Sequence, residues 1–472
     1  MSARAKSTMT SMDPRELAFA GAAEQARLLA AGTITAPELL DVYLERIGRI
    51  DPELRSYRIV LADSARQAAI AAQARLDAGE RLPLLGVPIA IKDDSDVTGE
   101  LTTYGTSAHG PARTEDSEVV RRLRAAGAVI IGKTAVPEMM IWPFTETMTF
   151  GTTRNPWHPD YAPGGSSGGS GAAVGAGLAA MALGSDGMGS IRIPSTWNGL
   201  FGIKPQRDRV PISPHHGAWC GLEVMGPIAR TVEDAALFLD VTADDVPEGG
   251  FAAAARRDPG RLRIALSTKA PLPLTRVGKP QRAAVVEAGA LLFELGHDVI
   301  ERDFDYPSGA VFRNAIPRYF RGVYDDVRAL PHPERLERRT RTFARLGGLV
   351  SDRRLDAMRV AEAEISARVQ AIFDDVDVVI TPGTATGPSK VGAYQRRGAL
   401  STLTLVASRV PFGAMFNVTG QPAAVVPWGL DGDGIPTSIQ LVGRPFDEAT
   451  LLSLGAQLES ARPWAQRRPP DC

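Results

Sequence analysis

GGSSGGSGAAVGAGLAAMALGSDGMGSIRIP, residues 164–194, decides how the rest of this 472-residue chain is read. Two turns rich in glycine and serine, Gly164–Ser170 and Gly184–Pro194, bracket a run of small apolar residues. The run Gly171–Gly184 holds 14 residues without a strongly polar side chain. That is too short to span a bilayer, and it reads as a buried helix running into a strand at about 180–185. The first turn belongs to a long glycine, proline and serine-rich loop over 151–171. A flexible linker would separate domains, whereas here a tightly packed apolar helix follows at once.

Working outward, the same alternation continues on both sides. Val87–Ile91 is a compact apolar strand ending in Lys92-Asp93-Asp94, and a helix at about 117–126 leads into a second strand at 128–131. Residues 14–31 and 36–50 show helical apolar spacing, the second opening on Thr35 as a cap before Ala36-Pro37-Glu38. Strands alternating with helices indicate a layered α/β fold with a largely buried sheet. Past residue 245, strands near 263–267 and 297–302 flank a helix, and 309–374 reads as charged amphipathic helix peripheral to the sheet. Strands return at 378–380, 424–426 and 438–442, with a closing helix at 447–460. The sheet is thus completed by the C-terminal part, which predicts one domain over 1–472 with a helical excursion at 309–374.

Composition excludes several functions. With 53 basic and 54 acidic residues the formal net charge is -1, so nothing global favours nucleic acid or an anionic membrane. Two cysteines, Cys220 and Cys472, make neither a disulfide framework nor a metal cluster and point to a reducing compartment. Met1–Ser11 has no apolar stretch behind it, so a cytoplasmic location is expected. Within the basic residues only 7 are lysine: Lys6, Lys92, Lys133, Lys204, Lys269, Lys279 and Lys390. In a chain that uses arginine for generic positive charge, a lysine among apolar residues asks what arginine could not do. Arginine cannot lose its proton, and lysine can.

Two formal pattern matches do not survive their context. Gly127–Thr134 fits GxxxxGK[ST], but its four variable residues are a strand rather than a phosphate-wrapping loop, and Pro137 interrupts any following helix. Gly165–Gly169 fits GxSxG, but Asn155–Pro159 before it is loop rather than strand. None of His215, His216, His297 and His332 lies in a recognisable triad context. What remains makes chemical sense without histidine. The first turn carries two adjacent hydroxyls, and the second lets consecutive backbone N–H groups point into a cavity, as an oxyanion hole requires, with Ser190 beside it. Lys92 ends a buried strand, and burial favours the neutral amine that can accept a proton from a serine hydroxyl. The competing reading of Lys92 is a strand-end lysine paired with Asp93 or Asp94.

Together GVPIAIKD (86–93), GGSSGGS (164–170) and GSDGMGSIRIP (184–194) resemble the amidase signature family. Ser166 and Ser190 are 24 positions apart, as that family's two catalytic serines are. The resemblance extends over nearly the whole chain, through Gly132–Glu138, FNVTGQPAAVVP (416–427) and QLVGRPFDEATLL (440–452). It implies an α/β fold with a large mixed, mostly parallel central sheet covered by helices on both faces. It also implies a Ser–cis-Ser–Lys triad: Ser190 as nucleophile, Ser166 as proton bridge after a cis Gly165–Ser166 bond, and Lys92 as base. The amides of Gly187, Met188, Gly189 and Ser190 would form the oxyanion hole, and Met140 aligns with a substrate-contacting methionine, with core packing as its alternative.

The chain departs from the family's Asp-Thr-Gly-Gly-Ser, reading Asp186-Gly187-Met188-Gly189-Ser190. A methionine forced to positive φ would be strained, so Gly187 is expected to absorb the change while Met188 leans toward the acyl pocket or the core. Asp186 and Arg192 are expected to form a structural ion pair. The implied activity is hydrolysis of a linear small-molecule amide through a seryl acyl-enzyme, with no metal or organic cofactor, no nucleic-acid or membrane partner, and room for a homodimer. Within the family the alternative is the glutaminase A subunit of an aminoacyl-tRNA amidotransferase, although Ile193 stands where those subunits usually carry glutamine. Outside it, the alternatives are a non-catalytic member and a P-loop protein.

Overall fold

The computed structural model describes residues 13–215, 217–273 and 275–472; the expectations for Met1–Ser11 and His216 lie outside them. The strands in chain order are β1 (Tyr57–Val60), β2 (Pro88–Lys92), β3 (Val129–Thr134), β4 (Glu146–Thr147), β5 (Gly151–Thr152), β6 (Met181–Asp186) and β7 (Phe201–Lys204). They continue with β8 (Val224–Ala229), β9 (Arg263–Leu266), β10 (Asp298–Glu301), β11 (Val378–Pro382), β12 (Ala423–Leu430) and β13 (Pro436–Val442). Eleven of them form one sheet in the order β1-β3-β2-β6-β8-β7-β12-β13-β11-β9-β10, and β4 and β5 form a small separate pair. One sheet therefore draws strands from residue 57 to residue 442. Strands β2, β3, β6 and β8 are buried throughout, and in β2, β3 and β6 this shows in the sequence as consecutive rather than alternating apolar residues.

The sheet is mixed, but it is not mostly parallel. The pairs β2–β3, β2–β6, β9–β10 and β9–β11 are parallel. The pairs β1–β3, β6–β8, β7–β8, β7–β12, β12–β13 and β11–β13 are antiparallel. The expectation failed on β1, β7 and β8, which the sequence reading did not identify. Strands β7 and β8 send the chain back antiparallel through the middle of the sheet.

The glycine-rich first turn is no linker. Residues Gly168–Gly175 form a helix wedged against the end of β3 and against a second short helix, Arg192–Asn198. A Cβ at Gly169 would lie 2.3 Å from Ala135 N and 2.5 Å from Ser56 O, and one at Gly171 would lie 2.9 Å from Pro194 Cβ. Only residues without side chains allow this backbone to come so close to its neighbours. At the N-terminal end, the expected single helix over 14–31 is two, Pro14–Phe19 and Ala22–Ala30. They break at Gly21 (φ 84°), where Asp234 accepts the Ala23 N–H at 2.8 Å. Thr35 caps the helix Ala36–Leu54 as expected, in a reciprocal box with Glu38.

Residues 309–374 are three helices, Ser308–Ala329, Arg338–Gly347 and Asp352–Gln370. Tyr319, Phe320 and Phe343 pack together in their midst and join Trp142, Phe144 and Trp219 in a second apolar cluster. The excursion therefore covers the end of the sheet at which the two glycine-rich turns meet. Among the described residues no helix is long and apolar enough to cross a membrane.

Two glycine substitutions separate close approach from helix propensity. Gly169→Ala must displace backbone on two elements and is expected to lower the unfolding free energy by about 1–3 kcal/mol. Gly48, exposed within Ala36–Leu54 with open space where its Cβ would be, should gain about 0.5–1 kcal/mol on Gly48→Ala. Denaturant unfolding of both variants measures the contrast.

Candidate functional site

Lys92 is the last residue of β2 and is fully buried. The parallel pairing of β2 with β6 sets its ammonium beside Ser185, near the end of β6. Lys92 Nζ donates to Ser185 Oγ at 2.7 Å and to Ser166 Oγ at 2.8 Å, and lies 3.1 Å from Asp94 Oδ2. Ser185 Oγ in turn donates to Asp94 Oδ2 at 2.6 Å. Lys92 thus has both the contacts anticipated for it: the serine of the first turn and the carboxylate of Asp94.

The two turns are stitched together. Ser166 follows a cis Gly165–Ser166 peptide and is buried. Ser167 Oγ donates to Ser185 O at 3.2 Å and accepts the Ser185 N–H at 3.3 Å, while Ser167 N–H donates to Ser190 O at 3.4 Å. Ser190 itself is half-buried and opens onto a cavity of about 250 Å³ walled mainly by apolar side chains.

The turn that carries Ser190 is organised by Asp186. Its carboxylate is bridged by Arg192 at 2.9 and 3.0 Å, both residues being buried, which is the ion pair expected from the sequence. Burial pushes the Asp186 carboxyl up, but the charge and hydrogen bonds of Arg192, with help from Asn417, overcome it and hold the group below the usual carboxylate range. Asn417 Nδ2 donates to Asp186 O at 2.7 Å and to Asp186 Oδ1 at 2.9 Å, and Arg192 also reaches Asn417 Oδ1 and Gln440 Oε1.

This network corrects the expected set of four free amides. Gly189 N–H donates to Asp186 Oδ1 at 2.6 Å, so it is committed to holding the loop. The amides of Gly187, Met188 and Ser190 have no acceptor among the described residues. Positive φ falls on Gly189 (120°), leaving Met188 unstrained with its side chain on the cavity wall. The glycine at 187 has its own cause: a Cβ there would lie 2.6 Å from the indole of Trp219.

Met140 lies between two cavities and lines both. It and Met139 adopt left-handed backbone, φ 55° and 52°, a conformation that costs about 1–3 kcal/mol and collects at functional sites. The second cavity, about 640 Å³, is also walled mainly by apolar surface, but unlike the first it carries charged side chains. Asp94, Glu223 and Asp326 line it, together with Tyr104 and His215. Burial and then the neighbouring Asp94 push the Glu223 carboxyl well above the usual range, and burial pushes Asp326 up to about 7.

The other buried lysines are held elsewhere. Lys133 Nζ meets Asp93 at 2.9 Å, Leu101 O at 2.7 Å and Thr102 Oγ1 at 2.8 Å, inside β3, so the GxxxxGK[ST] match encloses no phosphate cradle. Lys204 donates to Pro205 O and Gly420 O. Sequence reasoning missed Ser185, Glu223 and Trp219. Ser185 stood in the second turn and was legible as a hydroxyl beside a strand end, whereas Glu223 and Trp219 carry no local pattern.

A family model described as Amidase matches residues 38–452. AmiB2 of Mycobacterium tuberculosis, a protein named for an expected amidase activity, is 68% identical over 460 residues, covering 97% of this chain and 99% of its own. Among solved structures, 6-aminohexanoate cyclic dimer hydrolase superposes with a TM-score of 0.86 at 29% identity, over 96% of this chain and 99% of that one. A bacterial aryl acylamidase of the amidase signature family superposes with a TM-score of 0.84 at 25% identity, over 94% and 97%.

Asp186→Asn leaves Arg192 buried without its counter-charge and is expected to cost about 3–5 kcal/mol in denaturant unfolding. Glu223 generates a pH effect of defined sign. Its folded-state carboxyl keeps its proton above the ordinary value of 4.5, so its contribution is complete at acid pH and fades as pH rises toward neutrality. Glu223→Gln should flatten the fall in stability between about pH 4.5 and 7, followed by thermal melts across that range. Glu138 and Glu459, also pushed up to about 7 by burial, preserve part of the slope.

Proposed function

The chain belongs to the amidase family, and on that premise we propose that it hydrolyses a linear carboxamide through a seryl acyl-enzyme, with Ser190 as nucleophile, Ser166 as proton bridge and Lys92 as base. The observation that carries this is the buried Lys92 amine at 2.8 Å from Ser166 Oγ, on a turn bonded to the backbone of Ser190. A neutral lysine amine has two N–H donors and one lone pair. Ser185 Oγ and Asp94 Oδ2 can take the donors, which leaves the lone pair for the Ser166 hydroxyl.

In the proposed reaction Ser190 Oγ attacks the amide carbon as its proton passes to Ser166 Oγ and the Ser166 proton passes to Lys92 Nζ. The tetrahedral oxyanion is stabilised by the unengaged amides of Gly187, Met188 and Ser190, which need no reorganisation to receive it. Lys92, now protonated, returns the proton through Ser166 to the leaving nitrogen, and the C–N bond breaks. Water then enters by the same relay in reverse and releases the acid. Asp94, fixed by Ser185, stabilises the lysinium that forms in each half-reaction.

The glutaminase alternative fits less well. Glutamine brings an ammonium and a carboxylate, and the cavity at Ser190 is lined at that point by Ile193 and by no charged side chain among the described residues. A non-catalytic role gives no reason to keep the Lys92–Ser166 contact. The enzyme is proposed to act in the cytoplasm, where Cys220 and Cys472, both free, stay reduced.

A fluorophosphonate probe should label the protein, and Ser190→Ala should abolish labelling; persistent labelling would reassign the nucleophile. Lys92→Arg and Lys92→Ala should both cut amide turnover by at least about a thousand-fold, because both remove the titratable amine. An active Lys92→Arg enzyme would remove Lys92 from the role of base.

A further inference from the structure

We propose that Trp219, clamped between Gly187 and Gly322, determines the size of the acyl group admitted to Ser190, and that the substrate is an amide of a compact, uncharged, apolar acid. This rests on Ser190 being the nucleophile. The cavity at Ser190, about 250 Å³, lies at the small end of ligand pockets, which run to about 300–1,000 Å³ for drug-sized molecules. Met188, Trp219, Phe312, Tyr319 and Leu403 wall it, and no charged side chain lines it among the described residues. The Tyr319 hydroxyl on that wall is already spent on Ile141 O at 2.8 Å. An ionised group on the acyl side would lose its water and find no partner, which costs several kcal/mol.

The indole of Trp219 has no room to retreat. On one side a Cβ at Gly187 would stand 2.6 Å from its Cε3 atom; on the other, a Cβ at Gly322 would stand 2.6 Å from Trp219 Cα. Its backbone is left-handed, φ 49°, as is that of Cys220, φ 54°. Arg318 pins the turn by donating twice to Cys220 O, at 2.9 and 3.1 Å, and Tyr319 packs on the indole with ring centroids 4.9 Å apart. A helix of the 308–329 segment and the Ser190 turn therefore hold the tryptophan from opposite sides. An oversized acyl group pressing on the indole presses in turn on Gly187, whose amide has no acceptor among the described residues and is one of the three proposed to receive the oxyanion. Acyl size should accordingly act on kcat as well as on KM.

The test is steady-state kinetics over a homologous series from acetamide to decanamide. Trp219→Leu should move the preferred acyl group to longer chains, raising kcat/KM for long relative to short amides by at least about ten-fold, the lower end of what one methylene is worth in an apolar pocket. Trp219→Phe, which keeps an aromatic in the clamp, should shift the profile the same way by less, and it answers the question if the leucine variant does not fold. Gly187→Ala should lower kcat across the series, and Trp219→Leu in the same chain should restore part of it. A size profile that does not move in a folded Trp219 variant, or a uniform loss at every chain length, overturns the inference and leaves the hydrolase reading standing. Absence of both amide turnover and fluorophosphonate labelling in the unaltered protein overturns the two together.

Discussion

A lysine amine buried at the end of a strand, within hydrogen-bond distance of two serine hydroxyls and a carboxylate, is the constraint on which the rest of the structure depends. An isolated ammonium in that position would cost many kcal/mol, and its partners have to be in place before the chain can afford it. Three separate elements supply them. Ser185 comes from the strand parallel to that of Lys92, Asp94 from the turn that leaves it, and Ser166 from the glycine-rich loop. The loop can come that close only because the helix it enters is made of residues small enough to sit against β3.

The second glycine-rich turn is built on a different principle. Its residues hold their shape through Asp186, which receives Arg192, Asn417 and two backbone amides. That arrangement fixes which amides are left over. Gly189 gives its N–H to the scaffold, and its neighbours on both sides keep theirs, so rigidity of the loop and availability of donors come from one carboxylate. The C-terminal stretch containing Asn417 thereby contributes to a turn more than two hundred residues earlier, which is why the sheet has to close before the site exists.

Much of this was legible in the sequence, and the failures have a common form. Strands β2, β3 and β6 and the helix after Gly164–Ser170 were readable because their composition is extreme: continuous apolar runs or almost nothing but small residues. Strands β7 and β8 contain glycine, proline and lysine, and only their burial between other strands makes them strands. Missing them turned a mixed sheet into a mostly parallel one. At the site, residues whose chemistry is local, such as Lys92 and the paired serines, could be found by spacing. Trp219 and Glu223 could not, since what gives them their place is a turn packed against a helix a hundred residues later.

Lysine scarcity illustrates how far composition can go. It singles out Lys92, Lys133 and Lys204 alike, and all three are fully buried. Their acceptors distinguish them. Lys204 meets two carbonyl oxygens, which accept its N–H groups and have no proton to offer it. Lys133 meets a carbonyl and the Asp93 carboxylate, itself shared with Arg58, and its one hydroxyl partner, Thr102, lies on neither of the two serine turns. Lys92 alone faces a hydroxyl that can donate back and that sits on a turn bonded to a second serine at the edge of an apolar cavity. Of the three, only Lys92 has surrounding oxygens that lead on to a second serine, and that is the path the proposed reaction uses.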